Sequence, residues 1–309
     1  MRLEDIGFYT LSDNRAKTSS QFSPLYRCEL ILTDRCNFKC PYCRGLQNGN
    51  DLPFATALQI LNYWISERLI NIRFSGGEPT LYKHLISLIH IAKKGKIKRI
   101  AVSTNGGADL NLYKQLINAG VNDFSISLDA CCTSTGDIMA GKKGSWKRVI
   151  ENIKQLSQLT YISVGIVVNE NNNNELEKTI LLAHKLGVKD IRIIPSAQYN
   201  KKLQLNIPNK IINEHPILKY RLQNNRHIRG LNKEDSKKCK LVLDDMAIWN
   251  GEHYPCIIYL REQGKAIGRI SKNTRLERFN WYQKHDSWQD KICKNNCLDV
   301  CIAFNNKAI

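Results

Sequence analysis

Three cysteines, Cys36, Cys40 and Cys43, stand close together in the stretch TDRCNFKCPYC at residues 33–43. Three neighbouring thiols cannot all be used up in disulfides with one another. A tetrahedral zinc site would want a fourth N or S ligand at a comparable spacing, and nothing suitable follows in the next forty residues. The odd count fits a [4Fe–4S] cluster better, with three thiolates on three irons and the fourth iron open to an exogenous ligand.

The chain has eleven cysteines in all. Cys293, Cys297 and Cys301 lie near the C-terminus, Cys239 and Cys256 precede them, and Cys28, Cys131 and Cys132 are left over. The start MRLEDIGFYT has no secretion signal, and no run of 18 apolar residues is present, so a cytoplasmic protein with no membrane partner is expected. Cysteines in a reducing compartment point to thiolate chemistry and suggest two metal sites.

Elements must hold these residues in place. From residue 26 to about 195, β-rich runs (YRCELILT, NIRFSGGEP, RIAVSTNGG, FSISLDA, ISVGIVVN, DIRIIPS) alternate with amphipathic helical stretches. Six βα repeats predict an α/β fold with a parallel sheet, either doubly wound or a barrel, and an active site at the strand C-termini. The unusual residues fall there: the cysteine loop, Gly76-Gly77-Glu78-Pro79, Thr104-Asn105-Gly106 and Asp129. Residues 198–238 read as a basic bridge with ten Lys or Arg against three acidic residues. Residues 239–309 alternate around Gly251 as a hairpin would and then carry the last cysteines, where a metal staple would support a thin core. The net charge of +18 favours an anionic partner, but basic and aromatic residues do not interleave as in single-strand binders, which points away from nucleic acid.

C-x3-C-x2-C after the first strand and GGEP after the second, within a sixfold βα array, resemble the radical S-adenosylmethionine (radical SAM) superfamily over residues 26 to about 195. The resemblance implies a partial (β/α)6 TIM-type barrel at 26–197 behind an N-terminal extension, 1–25. It implies that Cys36, Cys40 and Cys43 ligate a cluster whose open iron takes SAM. Tyr42 matches the residue that packs near the adenine. Gly76, Gly77 and Glu78 match the methionine-binding motif, and Ser103, Thr104, Asn105, Ser127 and Asn169 end strands at cofactor-contacting positions. Cys239, eleven residues, Gly251, four residues and Cys256 resemble the opening of SPASM and Twitch domains, which carry auxiliary clusters. The ending, C-x3-C-x3-C, departs from both patterns. The five late cysteines suffice for one auxiliary [4Fe–4S] cluster with one thiol spare, zinc being the alternative, so 239–309 is expected to be a small Fe–S domain.

Cys28 alternates with Leu30 and Leu32 as a buried, helix-facing residue. Cys131 and Cys132 follow Asp129 at the active-site rim; small-hydrophobe packing is the leading reading, with hydrogen-atom donation to a substrate radical beside it. Alternation turns Glu29, Arg73 and Arg192 into the lumen, where inward polar groups are costly unless they meet a ligand or one another. They are the candidate substrate residues, with Glu29 also a candidate catalytic group and a Glu29–Arg73 structural pair the alternative.

LTDRCNFKCPYC and RFSGGEPTLYK most resemble the GTP-cyclising family of molybdenum cofactor synthesis. Glu29 and Ser163 stand where that family has basic residues, and the chain ends FNNKAI without its terminal Gly-Gly, which argues against a triphosphate substrate. Peptide-modifying relatives often begin with a leader-binding domain longer than the roughly 25 residues before the first strand here. The expected function is hydrogen abstraction from a C–H bond of a small molecule or peptide, by dehydrogenation or epimerisation, with flavodoxin or ferredoxin as electron donor. Thioether or C–C crosslinking of a ribosomal peptide is the alternative enzyme reading, and a zinc and nucleic-acid module the non-enzymatic one.

Overall fold

The computed structural model describes residues 15–45, 49–197, 199, 205–223 and 227–307. Residues 1–14 of the N-terminal extension and parts of the 198–238 bridge lie outside these described residues. Six parallel strands form in chain order: β1 (Arg27–Thr33), β2 (Asn71–Gly76), β3 (Arg99–Thr104), β4 (Asp123–Ser127), β5 (Tyr161–Val168) and β6 (Asp190–Pro195). β1 and β6 do not pair, so the curved sheet is a partial barrel with helices outside.

Strand alternation sets the two faces. Cys28, Leu30 and Leu32 are completely buried against the helical layer, as expected. The helix Phe54–Ser66 answers with Ala57, Ile60, Leu61 and Trp64, spaced three or four apart on one face. Fully burying such a side chain contributes about 1.5–3 kcal/mol. Helix Leu110–Ala119 begins under Asp109, whose carboxylate accepts the Asn111 N–H at 2.8 Å.

The C-terminal region continues the same sheet. β7 (Asp245–Trp249) pairs in parallel with the free edge of β1, Arg27 opposite Asp245, and β8 (Glu252–Tyr254) and β9 (Gly268–Arg269) add antiparallel to it. The turn between β7 and β8 falls at Asn250-Gly251, both at positive φ, which is the expected hairpin. Arg27 holds the β1–β7 junction by donating to Asp245 through Nε (3.0 Å) and Nη2 (2.5 Å). Fully buried Arg278 donates to the carbonyls of Val242 (2.8 Å), Tyr254 (3.0 Å) and Pro255 (3.2 Å), tying the hairpin to the helix Thr274–Lys284. In the bridge, Asn209–Glu214 and Pro216–Gln223 are helical. Among the described residues, no helix is long and apolar enough to cross a membrane.

Candidate active site and cysteine centres

The cysteine loop leaves the C-terminal end of β1 and closes at its base. Thr33 Oγ1 donates to Asp51 Oδ1 (2.6 Å), Arg35 pairs with Asp51 (2.8 Å), and the Asn50 N–H donates to Asp34 (2.5 Å). Within the loop the Cys43 N–H donates to the Cys40 carbonyl at 3.0 Å. The Phe38 N–H points at Cys36 Sγ (3.4 Å) and the Gly45 N–H at Cys43 Sγ (3.3 Å). Such donors stabilise a thiolate, the form that ligates metal. Cys36 and Cys40 are half-buried and Cys43 is exposed. Burial, helped by Asp129, pushes the Cys40 thiol up to about 12, and burial raises Cys36 as well, so metal binding would displace these protons.

The end of β2 packs directly beneath this loop. A Cβ on Gly76 would stand 2.2 Å from the Thr33 carbonyl oxygen, and one on Gly77 2.3 Å from that of Arg35. The absence of both lets Gly77 and Glu78 donate their N–H groups to Thr33 O (2.7 Å) and Arg35 O (2.8 Å). Glu78 is fully buried. Its carboxylate accepts from Thr80 Oγ1, Thr104 Oγ1 and the Asn105 N–H, each at 2.7 Å, and from the Thr80 N–H at 3.1 Å. The motif's glutamate therefore buttresses the ends of β2 and β3. Asn105 reaches back to the loop, donating to Asn37 Oδ1 (2.7 Å) and lying 3.8 Å from Cys36 Sγ.

Tyr42 donates its hydroxyl to Asp129 in a short bond, and Asp129 also accepts the Val167 N–H (2.7 Å). Burial lifts Asp129 to about 6. Ser127 ends β4 with an exposed side chain at the barrel mouth. Asn169 is turned to its own loop, where its Oδ1 accepts the Asn171 N–H (2.9 Å).

Below the loop the lumen is polar. Ser103, Ser125 and Ser163 face one another in register across β3, β4 and β5, and Ser75 stands one strand further on, beside Ser103. Glu29 accepts from Ser75 Oγ (2.8 Å). Arg73 donates to Ser103 Oγ (2.8 Å) and pairs with Asp123 (3.5 Å), which also pairs with Arg99 (2.8 Å). The expected alternative of a Glu29–Arg73 pair gives way to Arg73–Asp123, because Asp123 sits between two arginines while Glu29 is taken by a hydroxyl. Arg192 donates to Ser125 in a short contact, and burial beside Arg73 lowers it to about 10.

Cys131 and Cys132 sit at the rim and turn to Glu175, with Cys131 Sγ 3.6 Å from Oε2 and Cys132 Sγ 3.5 Å from the same oxygen. The five late cysteines, by contrast, converge. Cys239, Cys256, Cys293, Cys297 and Cys301 all line one cavity, together with apolar side chains that include Leu241, Ile258, Tyr259, Trp281 and Ile302. Burial raises all five thiols. Among the described residues no three of the five sulfurs lie within 4.8 Å of one another. Cys293 Sγ lies 3.4 Å from His285 Nε2, with Asp290 in the same group, whereas Cys239 Sγ accepts from Asn305 Nδ2 (3.8 Å) and Cys256 Sγ from the Tyr259 N–H (3.5 Å).

Asn37, Asp123 and Glu175 escaped the sequence reading. Alternation through Asp123, Ser125 and Ser127 does point Asp123 inward. Glu175 is some forty residues from the cysteines it meets, and no local pattern links them.

Residues 30–183 match the radical SAM superfamily. A probable GTP 3′,8-cyclase of Saccharolobus solfataricus is 31% identical over 176 residues, covering 55% of this chain and 57% of that protein. The chain thus aligns with little more than half the length of the curated relatives it matches. Streptococcus suis SuiB bound to S-adenosylmethionine superposes with a TM-score of 0.61 at 14% identity, over 85% of this chain and 66% of that one. Native anSMEcpe with bound AdoMet gives 0.62 at 18%, over 89% of each chain. The partial barrel, the cysteine loop at its rim and these matches agree: the chain belongs, through residues 30–183, to the radical SAM superfamily, which implies a [4Fe–4S] cluster and SAM as cofactors.

Proposed function

We propose that the chain is an enzyme that reductively cleaves SAM and takes hydrogen from a C–H bond of a small molecule or peptide, with net oxidation of the substrate. The observation that carries this reading is the position of the three-cysteine loop, held by Gly76, Gly77 and Glu78 above a lumen lined by hydroxyls and paired charges. Bound there, the cluster and SAM supply a 5′-deoxyadenosyl radical able to attack an unactivated C–H bond.

Cys36, Cys40 and Cys43 would hold the cluster. Tyr42, fixed by Asp129, would present its ring to the adenine, and Gly76, Gly77, Ser103, Thr104, Asn105, Ser127 and Asn169 border the SAM site. Glu78 acts as a positioning residue in this account, because its oxygens are engaged by Thr80, Thr104 and Asn105. Glu29, Arg73 and Arg192 would meet the substrate. Cys239, Cys256, Cys297 and Cys301 would ligate one auxiliary [4Fe–4S] cluster in a Twitch-like 239–309 region, with Cys293 the spare. That cluster is an electron acceptor built into the protein, which supports oxidation, and the engagement of Cys131 and Cys132 with Glu175 makes them poorer hydrogen donors for an epimerase. Flavodoxin or ferredoxin would supply the initiating electron. SuiB has also been seen bound to precursor peptide SuiA, and anSMEcpe with bound AdoMet and Kp18Cys peptide, which supports a peptide among the substrates proposed here.

The test is reductive cleavage: the anaerobically reconstituted chain with dithionite and SAM should release 5′-deoxyadenosine and methionine. A reconstituted chain that releases neither is not this enzyme.

A further inference from the structure

Cys131 and Cys132 follow β4 and Glu175 follows β5, so the three meet at one point of the rim from neighbouring βα units. Their two Sγ atoms and a Glu175 carboxylate oxygen all lie within 4.8 Å of one another. Glu175 Oε2 faces both sulfurs, with Cys131 at 3.6 Å and Cys132 at 3.5 Å. Single thiol hydrogen bonds have such lengths, but one oxygen placed evenly before two adjacent sulfurs is also the face of a metal's ligand shell. A tetrahedral zinc with bonds of about 2.3 Å to sulfur and about 2.0 Å to a carboxylate oxygen sets S···O edges of about 3.5 Å and an S···S edge of about 3.8 Å.

Hydrogen bonds hold the backbone on both sides of the group. Asn172 Nδ2 donates to the carbonyls of Asp129 and Val167 (2.7 Å each), tying the loop after β4 to the end of β5. Trp146 Nε1 donates to the carbonyl of Ala130, the residue before Cys131 (2.9 Å). Cys132 is the N-cap residue of the helix Thr133–Ala140, and a helix N-terminus favours a thiolate. Across the gap, Thr179 Oγ1 donates to the Glu175 carbonyl (2.9 Å). Thr135 Oγ1 donates to Glu175 Oε1 (2.9 Å), which orients the carboxylate and turns Oε2 toward both sulfurs. Metal-binding carboxylates ordinarily have such an outer hydrogen bond.

We propose that Cys131, Cys132 and Glu175 form a zinc site on the barrel rim, with two thiolates and one carboxylate holding the ion and a fourth position left to water. Zinc would replace the thiol protons, which pass to solvent, and no electron is exchanged. The ion would fasten the loops after β4 and β5 to each other beside Asp129, the partner of Tyr42. Zinc-bound thiolates have no S–H hydrogen to give, which agrees with the net oxidation proposed above, yet the site does not depend on that reading.

The test is dialysis of the full, anaerobically cluster-reconstituted chain against zinc buffered with nitrilotriacetate. Zinc and iron are counted by mass spectrometry, and the surroundings of the zinc are read by X-ray absorption. About one zinc per chain is expected beyond the iron, bound by two sulfurs and two lighter atoms. Cys131→Ser/Cys132→Ser and Glu175→Gln should each weaken zinc binding more than tenfold at the parent's iron content, and Thr135→Val, which frees the carboxylate to rotate, about tenfold. Failure to bind zinc, a four-sulfur zinc that belongs to the other cysteine centres, or undiminished zinc in both ligand variants overturns the site. Where the ligand variants do not fold by circular dichroism, the sulfur count around the parent's zinc decides. SAM cleavage by the parent is read in parallel: a chain that cleaves SAM but binds no zinc loses only the zinc site, and one that binds zinc but cleaves no SAM loses only the enzymatic reading.

Discussion

Glu78 Oε2 accepts the backbone N–H of Asn105 at 2.7 Å, and Asn105 in turn reaches Asn37 in the cysteine loop. The carboxylate of the GGEP motif is thus the bracket that sets the height of the loop above β2 and β3. In Glu78→Gln an amide N–H would face the Asn105 N–H or a threonine hydroxyl, leaving buried donors unmatched. Unfolding stability should fall by about 2–3 kcal/mol, as for a buried polar group that loses its partner. Urea unfolding measures the loss, and iron content after reconstitution should fall with it. Unchanged stability would mean that these hydrogen bonds to Glu78 do not hold the loop in place.

Asp190, fully buried at the start of β6, accepts the Ile217 N–H with both oxygens at 3.1 Å. Burial nevertheless raises it from 3.8 to about 7. An acid raised on folding binds its proton more tightly in the native state, so its contribution is full below pH 4 and is lost as pH rises toward 7. Between pH 4 and 7 the parent should lose up to about 4 kcal/mol from this group. Asp190→Asn keeps the acceptor for Ile217 and cannot ionise, so its urea midpoint should change less across that range.

Glu29 accepts from Ser75 in the lumen and touches none of the residues assigned to the cofactor. Glu29→Gln should leave dithionite-driven SAM cleavage within about twofold of the parent and impair turnover of the true substrate more than tenfold, the scale of one hydrogen bond to a charged group. Equal loss of both activities would place Glu29 in the fold or the SAM site.

Single Ala substitutions separate the late cysteines. Replacing Cys239, Cys256, Cys297 or Cys301 should reduce iron from about eight to about four per chain, whereas Cys293→Ala should keep about eight. Loss of four irons from Cys293→Ala would make it a ligand and free one of the others.

Much of this was legible in local pattern. The period of two along β1 put Cys28, Leu30 and Leu32 outward and Glu29 inward, and the spacing around Gly251 gave the β7–β8 hairpin. Alternation is silent about which strand edge a later strand will choose, so the parallel docking of β7 on β1 through Arg27 and Asp245 could not be read. Side-chain direction at the rim was equally hidden. Whether Cys131 and Cys132 face the lumen or Glu175 depends on a residue delivered by a different βα unit, and the engagement of Cys293 with His285 depends on the path between helices Thr274–Lys284 and Lys291–Asn296.

The most direct test compares the parent with Cys36→Ala/Cys40→Ala/Cys43→Ala after anaerobic reconstitution, reading iron per chain and 5′-deoxyadenosine formed with dithionite and SAM. The account predicts about eight irons and SAM cleavage in the parent, and about four irons with no cleavage in the triple variant. Equal iron in the two proteins, zinc retained in place of iron, or 5′-deoxyadenosine from the triple variant would contradict it.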